Sequence, residues 1–244
     1  MRSFDKSTRL DPALVPLWVG LWGFLGLYPL VRLIYIVFTT DGGASLINLI
    51  KVLTSWYNRK AFFNSLALAA AVATTGTFIG FLFAFAVTRI PLPRPVKWFL
   101  GAVVVLPFVS PPFTSSIALT MVLGPNGLLL KLLHAPDFNI YGFWGTWIAE
   151  TLTYFPVAFL TLTAVLKAID PNLEDAAMSM GNTPWGTFRT VTLPLSIPGL
   201  ANAFLLLFGS SLADFATPLV MADHTFPVLT TQAYLQITGM YDIQ

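Results

Sequence analysis

LEDAAMSMGNTPWGTFRTVTLP, residues 173–194, is a polar island between long apolar segments. Just before it, Asp170 and Pro171 form a helix start, with a side-chain oxygen to cap the first amides and a ring that suits the first helical position. Leu173, Ala176, Ala177 and Met180 then recur at i, i+3, i+4 and i+7, one apolar stripe on a short helix. Glu174 and Asp175 lie near its positive end, where anions are favoured. Gly181 is placed to end the helix in the left-handed conformation. Thr183 and Pro184 repeat the start signal, and Trp185, Phe188 and Val191 give a second short helix its own apolar side. Leu193 and Pro194 close the island and open the next apolar run. The predicted element is two capped helices around a glycine corner, with Trp185 and Phe188 exposed. It reads either as a rigid docking element or as an interfacial hairpin with tryptophan at headgroup level.

The surroundings of the island are those of a membrane protein. The chain has 244 residues, of which 56% are hydrophobic and 10% charged, against about 25% charged in a soluble domain. Mean hydropathy is +0.75. A net charge of +2 is too small to suggest nucleic acid, and the absence of cysteine excludes disulfides, thiolate metal sites and a cysteine nucleophile. Five segments are long and apolar enough to span a bilayer: 14–38, 61–88, 98–123, 140–168 and 194–221. The first is expected to be retained, because its apolar run is too long for a signal peptide and no small-residue cleavage site follows.

Cation placement orients these spans. Arg2, Lys6, Arg9, Arg89, Arg94, Lys97, Lys167 and Arg189 fall on one side, Lys51, Arg59, Lys60 and Lys131 on the other, and Arg32 lies within the first span. The bias of eight to four predicts a cytoplasmic N-terminal segment (1–13) and a cytoplasmic 169–193 loop. Residues 14–244 then form one transmembrane domain. The ending on YLQITGMYDIQ has no charged tail, and Tyr241–Gln244 reads as the start of another helix. The chain is therefore expected to be a piece of a longer protein, with five to six spans.

Proline punctuates the spans. Pro107, Pro111 and Pro112 interrupt the third, in LPFVSPPF, and Pro29, Pro156 and Pro218 mark others. Each removes a backbone donor and kinks or breaks its helix. Proline is also simply commoner in membrane helices, so the break either lines a path or is incidental. The second span carries small residues, Ser65, Ala69, Ala73 and Thr77 at spacing four, with Gly76 and Gly80, which marks a helix packed among others. Arg32, Glu150 and Asp214 lie within apolar segments, where a central charge costs about 2.5–3.5 kcal/mol. They either pair, Glu150 with Arg32 for instance, or line a polar path.

Catalytic patterns are missing. GNTPWGTF has the glycine spacing of a phosphate loop without its lysine, so ATP is not expected to bind this chain. His134 and His224 stand apart, with no metal-ligand spacing. No nucleophile elbow exists, and only Asp214 suits intramembrane aspartyl chemistry, Asp242 lying at the chain end. The chain is read as a non-enzyme.

Asp175 to Pro194, D-A-A-x3-G-x9-V-x-L-P, resembles the EAA loop of binding-protein-dependent ABC transporter permeases. Ala176, Ala177, Gly181, Leu193 and Pro194 match; Asp175 stands where glutamate is usual, one methylene shorter, with Glu174 just before it. The motif covers about 20 residues, and the Asn64–Ser65 opening of the second span fits the wider pattern. The resemblance implies an all-α polytopic bundle of the type I importer core in the bacterial plasma (inner) membrane. It implies that Glu174, Asp175, Ala176, Ala177, Gly181, Trp185, Phe188, Leu193 and Pro194 engage a cytoplasmic ATPase, which binds ATP and magnesium in place of this chain. It further implies an external solute-binding protein and a second permease half, fused or separate. Pro107, Pro111, Pro112, Glu150 and Asp214 become candidates for the translocation path, with no metal site. LADFATPLVM and TTQAYLQITGMYD resemble the ferric-iron subgroup, with thiamine, polyamine or phosphonate permeases as alternatives. An ATP-independent secondary transporter or channel is the more distant reading, which the broken third helix would suit.

Overall fold

The computed structural model describes residues 15–40, 43–125, 127, 132, 139–222 and 225–239. The N-terminal segment 1–13, both histidines, Lys131 and Tyr241–Gln244 lie outside the described residues. The chain divides into two compact units, Met1–Trp56 and Tyr57–Gln244.

In the first unit, α1 spans Val15–Val37. Trp22, Phe24, Leu27 and Leu33 are exposed on it. A helix of this length that is apolar on every side belongs in the membrane. Arg32 is held on that helix itself, its guanidinium 6.0 Å from the centre of the Tyr35 ring. A two-residue antiparallel pairing follows, β1 (Thr39–Thr40) with β2 (Gly43–Ala44), and then α2 (Ile47–Thr54).

The second unit is built around three long helices: α3 (Trp56–Arg89), α6 (Phe143–Ala168) and α9 (Leu193–Ala213). In lipid there is little hydrophobic drive between helices, so close backbone approach decides packing. The small-residue stripe of α3 does this. Ser65, Ala69, Ala73, Gly76, Thr77 and Gly80 are all buried, while Phe63, Phe78 and Leu82 on the other face are exposed. A Cβ on Gly80 would lie 2.7 Å from Ala158 Cβ of α6, so the glycine is the contact. Phe81 and Ala84 of α3, Phe155, Ala158, Leu162 and Leu166 of α6, and Ala203 and Leu207 of α9 form one core. Asn64 and Ser65 hold a distant segment: Asn64 donates to Pro227 O at 2.9 Å and Ser65 accepts from Leu229 N at 2.9 Å. That segment leads into α11 (Leu229–Ile237).

Two expected spans have different shapes. Residues 98–123 are two helices, α4 (Arg94–Val109) and α5 (Pro112–Leu123), bent by 98°. Ser110 and Pro111 are both extended between them, Pro111 capping α5, and at 1.5 Å per residue neither piece reaches the roughly 30 Å of a bilayer core. The run 194–221 is also broken. α9 stops at Ala213, and α10 (Ala216–Met221) is a separate short helix. The helix that becomes α9 begins ten residues before Pro194, at Pro184. Among the described residues four helices are long and apolar enough to cross a membrane, or five if the bent pair is one crossing. The chain is an all-α, multi-pass membrane protein.

Candidate functional site

The connection between α6 and α9 forms the two-helix element that its caps predict. Asp170 Oδ1 accepts from Asn172 N at 3.0 Å and starts α7 (Pro171–Ser179). Gly181 follows with φ +92°, the left-handed region that glycine enters without strain. Its amide donates to Met178 O at 2.9 Å and Asn182 N to Ala177 O at 3.1 Å, closing the end of α7. Thr183 Oγ1 accepts from Gly186 N at 3.1 Å and starts α8 (Pro184–Thr187). A single wide π turn, Phe188–Thr192, then feeds directly into α9. Isolated π turns of this kind concentrate at functional sites.

Two side chains expected to face outward are instead anchors. Phe188 is half-buried rather than exposed. Its ring meets Phe85 edge-on at 5.3 Å and lies 6.2 Å from Phe81, both on α3. Trp185, exposed, stacks on its other side at 5.2 Å. Glu174, expected near the helix dipole and implied by the resemblance to engage the ATPase, turns inward. Arg89 Nε, at the last residue of α3, lies 2.9 Å from Glu174 Oε1, with both side chains largely covered. The same oxygen accepts from Thr192 Oγ1 at 2.8 Å. Arg89 Nη2 donates to Ile169 O at 3.3 Å, just beyond α6. This is the one ion pair among the described residues. Leu193 packs, half-buried, against the core, while Pro194 is exposed.

The outward face is what remains. No residue of α7 is buried. Leu173, Asp175, Ala176, Met178, Met180 and Trp185 are all exposed, and Ala177 is half-exposed. Met180, 88% exposed, is an uncovered apolar side chain. A rigid, doubly capped base thus carries an apolar patch with one carboxylate, Asp175. That is chemically suited to a protein cleft.

Deeper polar groups are knitted to one another. Glu150 is fully buried on α6 and accepts from the Ser211 hydroxyl of α9, not from a cation. Its Oε1 has no hydrogen-bond partner among the described residues. Asp214 is a junction and not a mid-span charge. Its Oδ1 accepts from Ala216 N at 2.9 Å and Thr217 N at 3.2 Å, capping α10, and its Oδ2 accepts from Tyr154 OH of α6 at 3.0 Å. Thr230 donates to its carbonyl at 2.8 Å. Trp147 Nε1 donates to Thr75 Oγ1 at 3.1 Å, with Thr151 3.2 Å away. Pro107 is half-buried within α4 and Pro111 exposed at the bend; Pro112 is the first residue of α5. Arg89, Thr192, Tyr154 and Ser211 escape sequence reasoning. The only local signal among them is an arginine in the last turn of a long helix.

A family model described as binding-protein-dependent transport system inner membrane component matches residues 76–241. The ferric transport system permease protein FbpB of Actinobacillus pleuropneumoniae is 34% identical over 222 residues, covering 88% of this chain and 32% of that protein. The putative ferric transport system permease protein FbpB 1 of Haemophilus influenzae is 33% identical over 223 residues, 88% of this chain and 34% of its own length. The chain thus spans about a third of these relatives. In fold it is similar to a chain of a bacterial alginate ABC transporter solved with an alginate-bound periplasmic protein, with TM-score 0.77, 18% identity, and coverage of 93% of this chain and 83% of that one. With the match running from the small face of α3 through the capped hairpin to α11, the chain belongs to the family of binding-protein-dependent transport system inner membrane components.

Proposed function

We propose that this chain is part of the membrane permease of an ATP-driven importer, with ferric iron as its cargo. Its N-terminus and the 169–193 hairpin face the cytoplasm. There Asp175, Ala176, Ala177, Met180 and Trp185 dock into a separate ATPase subunit that binds ATP and magnesium. A solute-binding protein delivers cargo on the opposite face, and a second permease half completes the path. The observation that carries this reading is the hairpin: a two-helix base, capped at both starts and anchored to α3, with an outward face that is exposed among the described residues. The positive-inside bias supports its cytoplasmic placement, and the ferric relatives support the cargo. Thiamine, polyamine and phosphonate remain alternative cargoes.

The test is co-purification of the full-length permease with its ATPase, beside Gly181→Trp and Asp175→Lys variants. The wild type retains the ATPase. Gly181→Trp loses it, because φ +92° strains any side chain there. Asp175→Lys inserts but loses transport-coupled hydrolysis. A wild-type permease that never retains an ATPase ends the proposal, and uptake of radiolabelled ferric iron, thiamine and a polyamine decides the cargo.

A further inference from the structure

Glu174 and Asp175 are adjacent carboxylates with opposite surroundings. Asp175 is exposed, whereas Glu174 is largely covered and meets Arg89 and Thr192. We propose that Arg89 and Glu174 form an internal clasp, with Thr192 as its second strut, and that this clasp makes the hairpin move as one body with the spans. The inference rests on the hairpin being the docking element proposed above and adds how a push on it reaches the membrane.

Four elements meet at two side chains. Arg89 ends α3; its Nη2 bond to Ile169 O adds the exit of α6; Glu174 is on α7; Thr192 ends the π turn that becomes α9. Without the clasp, α7 has few ties to the spans. None of its residues is buried, and its capping bonds are local. The Phe188 contacts with Phe81 and Phe85 hold α8 and the π turn to α3, but they do not reach α7. Among the described residues the Arg89–Glu174 contact is a direct side-chain tie from α7 to α3, and the Thr192 bond a direct side-chain tie from α7 to the head of α9. The charges are well chosen for this site. Both side chains are more than four-fifths covered, so the pair is screened less by salt than a surface pair. Losing one partner leaves the other's charge covered with only a neutral contact, Ile169 O for Arg89 or Thr192 Oγ1 for Glu174. Arg89 and Glu174 act in this proposal as positioning residues, through the elements they join.

The absence of cysteine in this chain allows a direct test. Arg89→Cys with Glu174→Cys is introduced into the full-length permease, which is reconstituted with its ATPase and binding protein in proteoliposomes. Any native cysteine elsewhere in the full-length protein is first replaced. Cargo transported per ATP hydrolysed is measured before and after treatment with a short, reducible bis-thiosulfonate cross-linker. The reduced double variant is expected to retain the ATPase on co-purification and to lose about fivefold or more in transport per ATP. Cross-linking restores most of it, and reduction removes it again. Thr192→Val, nearly isosteric, gives a smaller loss in the same ratio and guards against a double variant that misfolds. A reduced double variant with wild-type coupling overturns the clasp, as does a cross-linked one that stays uncoupled, or a Thr192→Val variant with unchanged ratio. If the wild type itself shows no ATP-driven transport, it is the proposed function that fails.

Discussion

Gly80→Ala isolates a close backbone approach between α3 and α6. The added Cβ would lie 2.7 Å from Ala158 Cβ, 2.8 Å from Phe159 N and 3.0 Å from Ala158 C. Non-bonded carbons rest at about 3.5–4.0 Å, so the two helices must part by the better part of an ångström. The atoms in the way are mostly backbone, which no rotamer change moves. Parting the helices loosens Ala73, Phe81 and Ala84 against Phe155, Ala158 and Leu162 together. Overpacking of this kind costs about 1–3 kcal/mol, and the upper end applies because the obstruction is rigid. Gly76, one turn earlier, is the internal comparison. A Cβ there meets Leu207 Cδ2 at 2.5 Å, but its next neighbours are at 3.8 Å. Leu207 can swing that methyl aside for about 0.5–1.5 kcal/mol. Gly101, with nothing within 4 Å, is the control and should lose nothing. The assay is equilibrium unfolding of the purified permease in mixed micelles, titrated with sodium dodecyl sulfate. The expected order of loss is Gly80→Ala well above Gly76→Ala, with Gly101→Ala at or above wild type. Equal losses at 80 and 76, or a neutral Gly80→Ala, would refute the claim that backbone contact at Gly80 sets the α3–α6 packing.

Two further predictions use the same unfolding assay. Tyr154→Phe should cost about 1.5–3 kcal/mol, the range for a hydrogen bond to a charged group, and Asp214→Ala should cost more, because the cap of α10 is lost with it; equal costs would remove Asp214 from its capping role. Glu150→Gln should stay within about 1 kcal/mol of wild type, since it keeps shape and the Ser211 contact while removing an ionisable group with one unpartnered oxygen; a loss of several kcal/mol would mean that Oε1 has a partner in the membrane that this chain alone does not supply.

Much of the fold was legible because its signals are local. The caps at Asp170 and Thr183, the glycine corner at 181 and the small face of α3 each depend on residues within a turn or two of one another. The proline-rich LPFVSPPF was legible as a break, but not as a bend near a right angle, since proline dictates where a helix fails and neighbours dictate its new direction. The expected single run through 194–221 missed the Asp214 break for a related reason. Leu, Ala and Phe surround that aspartate, so hydropathy reads straight through it, while the carboxylate finds amides at 216 and 217 to cap. Phe188 was misread because helical spacing marks an apolar side chain without saying whether its partner is lipid, a docking protein or the chain's own Phe85.

By itself the sequence determined that the chain lives in lipid, which side of each helix is small or apolar, and that residues 170–194 fold into a capped hairpin carrying the marks of its family. These follow from transfer free energy and short-range hydrogen bonding, which act within a few residues. Only the tertiary structure decided which of the two adjacent carboxylates points inward, that Arg89 is its partner, and that Tyr154 and Ser211 donate to Asp214 and Glu150 across separations of 60 and 61 residues. Those pairings depend on where α3, α6 and α9 come to rest, and that is set by the summed packing of small faces rather than by any local pattern of charge.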